Sequence, residues 1–193
     1  MRLLAILLTI LAGLGAGLGL TALAVGPSAP VLTRSLQGWT FSPRIGSPEI
    51  DPYSRARLFV SGGLPLASGE GYALIATEDS AGTPLDTRCH YRITSPFPVA
   101  RYWTVTLTDP AGRLIPNLAG RSGFTSSEIV RSLEGRFNLE IGPEPQAGNW
   151  LPTGSKPGTF EITLRFYETP LAATATRLDP RALPALTKIG CAA

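Results

Sequence analysis

The stretch TFEITLRFYE, residues 159–168, decides the fold because its side chains alternate strictly between apolar and polar. Successive residues of a β-strand point to opposite faces of the sheet, so this alternation predicts a strand with one buried face. The predicted buried residues are Phe160, Ile162, Leu164 and Phe166. The predicted outward-facing residues are Thr159, Glu161, Thr163, Arg165 and Tyr167.

Four further segments have the same period of two: YALIATE (72–78), LDTRCHYRIT (85–94), RYWTVTLTD (101–109) and RFNLEIG (136–142). The turn cluster DSAGTP separates the first two, which predicts that they pair as a β-hairpin. Several strands with turns between them, and no long helical period, are typical of a sandwich. The sequence therefore predicts a mainly β fold, an antiparallel, jelly-roll-like β-sandwich with a few short helices.

Two short helices are expected beside these strands. Asp51 and Pro52 can cap and open a helix through YSRARLFV, and Gly62 and Gly63 would stop it. The segment TSSE, residues 125–128, fits a capping box, which predicts a second short helix.

The N-terminal segment is apolar from residue 3 to residue 25, and Arg2 is its only charge. At 1.5 Å per residue it is long enough to cross a hydrocarbon core of about 30 Å. We expect one transmembrane helix that holds the protein in the inner membrane as a single-pass anchor, with the C-terminal domain exported to the periplasm. The alternative is a cleaved signal peptide, for which Ala22-Leu23-Ala24 supplies a site.

The predicted domain limits follow from this. Residues 1–25 are the anchor or signal segment, residues 26–50 an extended, proline-containing linker, and residues 51–193 the β-sandwich domain.

Partners are constrained by composition. Gly13, Gly15, Gly17 and Gly19 contain two G-x-x-x-G pairs that would let two anchor helices form a homodimer, although small residues are common in leaders generally. The net charge of +3 comes from scattered arginines, so nucleic acid is not an expected partner. The expected partners are therefore the membrane and either a protein or a small ligand.

Cys89 and His90 are neighbours, and His90 is the one histidine of the sequence. Consecutive strand residues face opposite ways, so the thiol and the imidazole cannot act as a nucleophile and its base. In an exported chain, Cys89 and the only other cysteine, Cys191, are expected to form a disulfide, two free thiols being the alternative. We expect His90 to be a surface residue without a catalytic role.

Metal and cofactor motifs are missing from the sequence. One histidine and two distant cysteines match no zinc motif, and there is no G-x-S-x-G elbow and no phosphate-binding loop. No metal, no cofactor and no catalytic residue is predicted. Carboxylates that could still converge in space are Asp86, Asp109, Glu128 and Glu161.

One loop, GPEPQAGNWLPTGSKPG (142–158), has the composition of a ligand site, because Asn149 and Trp150 lie among prolines and glycines. The structural alternative is that Trp150 plugs one end of the sandwich while Asn149 hydrogen-bonds its own backbone.

The chain resembles a known family, the bacterial domain of unknown function 1214. The resemblance is carried in order by GEGYALIATEDSAGTPLD, CHYRITSPFPVARYWTVTLTD, GFTSSEIVR, GNWLPTG and FEITLRFYETP. It covers residue 51 to the C-terminus and is closest to the short subtype, in which the domain follows a single membrane-spanning leader. The resemblance implies a small β-sandwich but supplies no reaction and no site residues.

Two functions are compatible with these observations. The first is an uncharacterised membrane-anchored cell-envelope protein whose sandwich is a binding or interaction module. The second is a non-metallo enzyme acting on a small envelope or periplasmic substrate through a carboxylate, Tyr and Arg cleft. The predicted ligand-binding residues are Asn149, Trp150, Arg101, Tyr102, Arg165 and Tyr167. Convergence of these side chains beside a carboxylate of perturbed pKa would favour the enzyme.

Overall fold

The structure, a computed structural model, describes residues 2–26, 33–169 and 178–191. Within them two β-sheets stack face to face, which confirms the predicted mainly β sandwich. The helices are α1 (Arg2–Val25), α2 (Pro52–Ser61) and a 3₁₀ turn (Pro180–Ala182). The strands are β1 (Arg34–Leu36), β2 (Trp39–Phe41), β3 (Gly71–Ala76), β4 (Cys89–Thr94), β5 (Tyr102–Thr108), β6 (Gly123–Thr125), β7 (Asn138–Gly142), β8 (Asn149–Pro152), β9 (Glu161–Tyr167) and β10 (Ala185–Cys191).

One sheet has six strands in the order β1-β2-β3-β9-β5-β6, and the other has four in the order β10-β4-β7-β8. The stretch TFEITLRFYE contains β9, at the centre of the six-stranded sheet between β3 and β5. The inner faces of the two sheets form one core. Its largest fully buried side chains are Trp39, Tyr91, Phe160, Phe166, Leu74, Leu85, Ile93, Leu107, Leu139, Ile141, Leu151 and Ile162.

The predicted pairing of the segments 72–78 and 85–94 as a hairpin is wrong. β3 and β4 do not form a hairpin, because β3 belongs to the six-stranded sheet and β4 to the four-stranded sheet. The loop between them is held by Asp79, whose buried carboxylate accepts hydrogen bonds from the N–H groups of Ala81 and Thr83, both at 2.9 Å. Leu85 then enters the core as the chain crosses from one sheet to the other. The sandwich is also not wholly antiparallel, since β7 and β8 pair in parallel.

The segment predicted as a linker, residues 26–50, contributes to the sandwich. β1 and β2 form a hairpin within it, and β2 pairs with β3 through Thr40 and Ile75. Trp39 is fully buried, and its Nε1 donates to the carbonyl of Pro184 at 2.8 Å. The packed part of the chain therefore begins before residue 51, because burying the indole removes a large apolar area from water.

The first short helix forms as predicted and the second does not. Asp51 caps α2 by accepting from the N–H groups of Tyr53 and Ser54, and Gly62 ends the helix in the left-handed conformation at φ 67°. Glu128 does accept a hydrogen bond from the N–H of Thr125 at 2.9 Å, yet residues 126–128 form a turn and no helix follows. The Thr125 hydroxyl donates to the same carboxylate instead of accepting from a backbone N–H. Only one of the two hydrogen bonds of a capping box is therefore present.

α1 is a single apolar helix of 24 residues with none of its side chains buried. It is long and apolar enough to cross a membrane, and its position near the N-terminus also suits a signal sequence.

The C-terminal strand is joined to the sheet covalently. β10 pairs with β4 in an antiparallel register that places Cys191 opposite Cys89, and the two form a disulfide with Cα atoms 3.8 Å apart. Leu183 and Leu186 of the same tail are buried, so apolar packing and the covalent bond hold the tail on the four-stranded sheet.

Candidate functional site

Four of the predicted site residues meet on the outer face of the six-stranded sheet. Tyr102 of β5 lies directly opposite Tyr167 of β9, with ring centroids 5.9 Å apart. Arg165 points to the same face two residues along β9 and pairs with Thr104. Arg101 forms an exposed ion pair with Glu168 at 2.7 Å beside them. Alternation along adjacent strands therefore brings these side chains together, as the sequence pattern implies.

Beneath α2 a cleft opens onto this face. One cavity of about 180 Å³ is lined by residues of the loops around α2 and by β3 and β9, among them Leu58, Leu64, Ile75, Thr163 and Arg165. A second cavity of about 230 Å³ adjoins it and also contains Leu58 and Ile75. The lining is mainly apolar with a few polar groups, which is the usual composition of a small-molecule site. We call the two cavities the α2 cleft.

Arg165, which belongs to β9, is the charged residue in the lining of the first cavity. It is half-buried, and no carboxylate among the described residues lies within ion-pair distance of its guanidinium. A cation on apolar walls strongly attracts an anion, since the surrounding medium screens the charge less than bulk water does. The first cavity therefore has a positive charge at Arg165 beside mainly apolar walls.

Glu161 is the carboxylate whose environment differs most from water on this face. Partial burial raises the pKa of Glu161, and the nearby charge of Asp109 raises it further. Glu161 nevertheless lies four residues from Arg165 along β9, about 13 Å at the usual rise of a strand. The acid and the guanidinium therefore belong to opposite ends of the strand and do not form one site.

A second polar surface covers the four-stranded sheet on the opposite side of the molecule. Arg92 of β4 lies opposite Glu140 of β7, and its Nε donates to the carboxylate at 2.6 Å. The indole of Trp150 lies beside Glu140 in the parallel register and donates to the carbonyl of Gly142 at 3.1 Å. On this surface the arginine of the central strand already has a carboxylate partner, so Arg92 is less available to an anionic ligand than Arg165 is.

His90 lies on this second surface, half-buried and facing away from the core. Its ring rests against Gly142, where an added Cβ would overlap the imidazole. The histidine is thus packed on the neighbouring strand, and the thiol of Cys89 on the other side of β4 is bonded to Cys191.

Asn149 is buried, and its amide is committed to the backbone. Oδ1 accepts from the N–H of Val130 at 2.8 Å, while Nδ2 donates to the carbonyls of Val130 and Asn138 at 2.9 and 3.0 Å. These three bonds tie the turn around Val130 to β7 and β8. The loop residues Asn149 and Trp150 therefore lie in a different sheet from the other four predicted site residues.

The apolar half of the α2 cleft is absent from the sequence prediction, but one signal for it exists. β3 carries Tyr72, Leu74 and Ala76 on its inner face, and Ala73 and Ile75 on its outer face are also apolar. A strand that is apolar on both faces is normally covered on both. In the structure the outer face of β3 lies beneath α2.

Among the described residues, no group of three or more His, Cys, Asp or Glu side chains is placed to hold a metal ion.

Comparison with known proteins adds a family and a fold. A family model described as "Protein of unknown function (DUF1214)" matches residues 70–171. The VPA0106 protein from Vibrio parahaemolyticus is similar in structure with a TM-score of 0.58 and 17% identity, over 77% of this chain and 38% of that one. An uncharacterized protein from Burkholderia cenocepacia gives a TM-score of 0.40 and 15% identity, over 76% of this chain and 45% of that one. This chain spans less than half the length of either, and no curated protein matches it.

Proposed function

The chain belongs to the DUF1214 family of proteins of unknown function, and we propose that it is a membrane-anchored envelope protein whose β-sandwich binds a small anionic amphiphile in the α2 cleft. The observation that carries the proposal is the half-buried Arg165, which meets an apolar cavity without a carboxylate partner among the described residues.

Support for the anchor comes from α1 and from the disulfide. A helix of 24 residues is about 36 Å long, enough to span a hydrocarbon core of about 30 Å. Arg2 at its start favours a cytoplasmic N-terminus, which would place the sandwich on the periplasmic side. A disulfide between Cys89 and Cys191 suits that oxidising compartment and is uncommon in the cytosol.

Support for the ligand class comes from the lining of the cleft. A carboxylate, sulfonate or phosphate group would pair with the Arg165 guanidinium, which presents planar donors suited to such anions. Leu58 and Ile75 line both cavities and would contact an alkyl or other apolar part. Tyr102 and Tyr167 lie beyond Arg165 on the same face and would extend the contact surface for a longer molecule.

The alternative function, an enzyme with a carboxylate, Tyr and Arg cleft, needs a carboxylate of perturbed pKa beside Arg165 and the two tyrosines. Glu161 has the raised pKa expected of such an acid, but it lies at the far end of β9 from Tyr167. This separation favours binding as the function of the cleft.

The test is thermal unfolding of the full chain in lipid nanodiscs, followed by tryptophan fluorescence, with octanoate as the probe. A ligand that binds only the folded state at ten times its Kd adds about 1.4 kcal/mol, or about 3 to 6 °C in Tm for a chain of this size. We expect octanoate to raise the Tm of the wild type, and octylammonium, which has the same alkyl length and the opposite charge, to leave it unchanged.

Two variants locate the effect. Arg165→Gln should lose the octanoate shift, whereas Arg92→Gln, which removes an arginine from the outer face of the other sheet, should retain it. Equal shifts in both variants would show that octanoate binds elsewhere or acts through the bilayer, and the proposed cleft function would then be wrong.

A further inference from the structure

The end of α2 and the residues that follow it expose an unusual amount of apolar surface. Phe59 is 82% exposed, Val60 74% and Leu64 92%, all within six residues of one another. Scattered apolar residues on a protein surface are normal, but a cluster of large side chains marks an interaction surface. We call these three residues the apolar tip.

Phe59 and Val60, the two tip residues within α2, lie away from the side of the helix that covers the cleft. Ser54 and Leu58 line the cleft and lie four residues apart, so they share one face of the helix. Tyr53 and Val60, seven residues apart, lie together on another face, and both are more than half exposed. α2 is therefore apolar on the side that faces the sheet and again on the side where Tyr53 and Val60 are more than half exposed.

Charge and position indicate what would cover the tip. α2 contains Arg55 and Arg57 and no acidic residue. It also contacts α1, and the part of α1 that is partly covered comprises only its last residues and Gly26. The basic helix α2 therefore lies at the C-terminal end of the apolar helix α1, where α1 would emerge from the membrane. An amphipathic helix with arginines beside large apolar side chains has the composition of a helix that lies at a lipid surface.

We propose that α2 docks on the outer leaflet of the bilayer that α1 spans, with Phe59, Val60 and Leu64 inserted at the level of the acyl chains and Arg55 among anionic headgroups. This inference rests on the proposed membrane anchoring by α1. Because Leu64 also lines the α2 cleft, the docked helix opens the cleft toward the leaflet, where amphiphilic molecules are concentrated.

The experiment measures immersion depth by spin-label accessibility in the full chain, reconstituted in nanodiscs that contain phosphatidylglycerol. A nitroxide is attached to a single introduced cysteine, which is possible because the two native cysteines are bonded to each other. The tip variant is Leu64→Cys, and the matched control is Leu118→Cys, another fully exposed leucine of the sandwich. Leu14→Cys, in the middle of α1, reports on the anchor. Phe59→Cys provides a second tip position if the label at 64 perturbs the loop.

We expect the labels at positions 14, 59 and 64 to collide with oxygen and to be shielded from a water-soluble nickel complex, and the label at 118 to show the reverse. A label at 14 in the bilayer with labels at 59 and 64 in water would overturn the docking and leave the anchor intact. A label at 14 in water would overturn both. Shielding at 118 equal to that at 64 would also contradict the proposal, since it would show that the domain does not meet the membrane through the tip.

Discussion

The two outer faces of the sandwich are built by the same alternation of side chains, yet they differ in how their charges are matched. On the four-stranded sheet Arg92 is bonded to Glu140 at 2.6 Å. On the six-stranded sheet Arg165 borders an apolar cavity, and the partly buried acid of its strand, Glu161, lies at the other end. Both faces contain an arginine on a central strand, and only one of them leaves the charge for a ligand.

This difference shows why residue type alone does not locate a site. Trp150 and Asn149 have the composition of a binding loop, but their polar atoms are hydrogen-bonded to backbone groups of Val130 and of β7. In the sequence Arg165 is an ordinary outward-facing strand residue. It becomes distinctive in the structure because α2 covers the neighbouring strand β3, which leaves Arg165 at the border of an apolar cavity. A buried group already bonded within the protein has little left to offer a ligand, whereas an unmatched charge on an apolar wall gains by binding one.

We expect the largest loss of stability when the disulfide that joins β10 to β4 is removed. The Cys191→Ser variant opens a loop with a sequence separation of 102 residues. The chain-entropy model gives a loss of about 4.7 kcal/mol in the free energy of unfolding for a loop of about this size. We expect denaturant unfolding in detergent to show a loss of this order, with β10 released from β4.

Reduced wild-type protein is the control for this prediction and should unfold at the midpoint of the variant. If reductant leaves the wild-type midpoint unchanged, the bond contributes no stability and β10 is held by Leu183 and Leu186 alone.

A smaller effect is expected at Asn149, where the four-stranded sheet depends on one buried amide. Asn149→Ala leaves the N–H of Val130 without its acceptor and two carbonyls without their donor. An unsatisfied buried group costs about 1–3 kcal/mol, so the variant should lose about 2–3 kcal/mol of unfolding free energy. Asn138→Ala, at an exposed side chain of the adjacent strand, should change it by less than about 0.5 kcal/mol. Equal losses in the two variants would show that the amide does not brace the loop.

The smallest effect concerns the six-stranded face and depends on pH. Because burial raises the pKa of Glu161 in the folded protein, the native state retains this proton at pH values where the unfolded chain has released it. The contribution of this group to stability therefore falls as the pH rises from its ordinary pKa through the raised one. Glu161→Gln should be more stable than the wild type at pH 7, by about 0.5 kcal/mol, and equal to it near pH 4.

Urea midpoints at the two pH values measure this difference, and Glu144→Gln, an exposed acid in a loop of the other sheet, is the matched charge control. If Glu161→Gln is less stable than the wild type at pH 7, the carboxylate has a favourable partner, and the description of this face as one with unmatched charges would need revision.

Much of the fold could be predicted from local patterns. The errors occurred where the outcome depends on packing against residues that are distant in the sequence. The alternation around Phe166 and Val105 identified buried faces correctly, since a one-residue slip would expose the whole apolar set. The hairpin predicted for residues 72–94 failed because a turn cluster such as DSAGTP bends the chain but does not specify which sheet the next strand joins. The helix predicted after Thr125 failed because capping residues need an apolar helical face behind them to be stable.

The sequence by itself determined the period-two strands, the apolar N-terminal helix, the cap of α2 and the separation of Cys89 from His90, because each of these depends on neighbours along the chain. The tertiary structure alone decided that β3 and β4 lie in different sheets, that Trp39 joins the core, and that α2 covers β3 beside Arg165. Those outcomes depend on contacts between residues far apart in sequence, such as Trp39 with Pro184. Their stability comes from apolar area removed from water when the whole chain is packed, which no local pattern encodes.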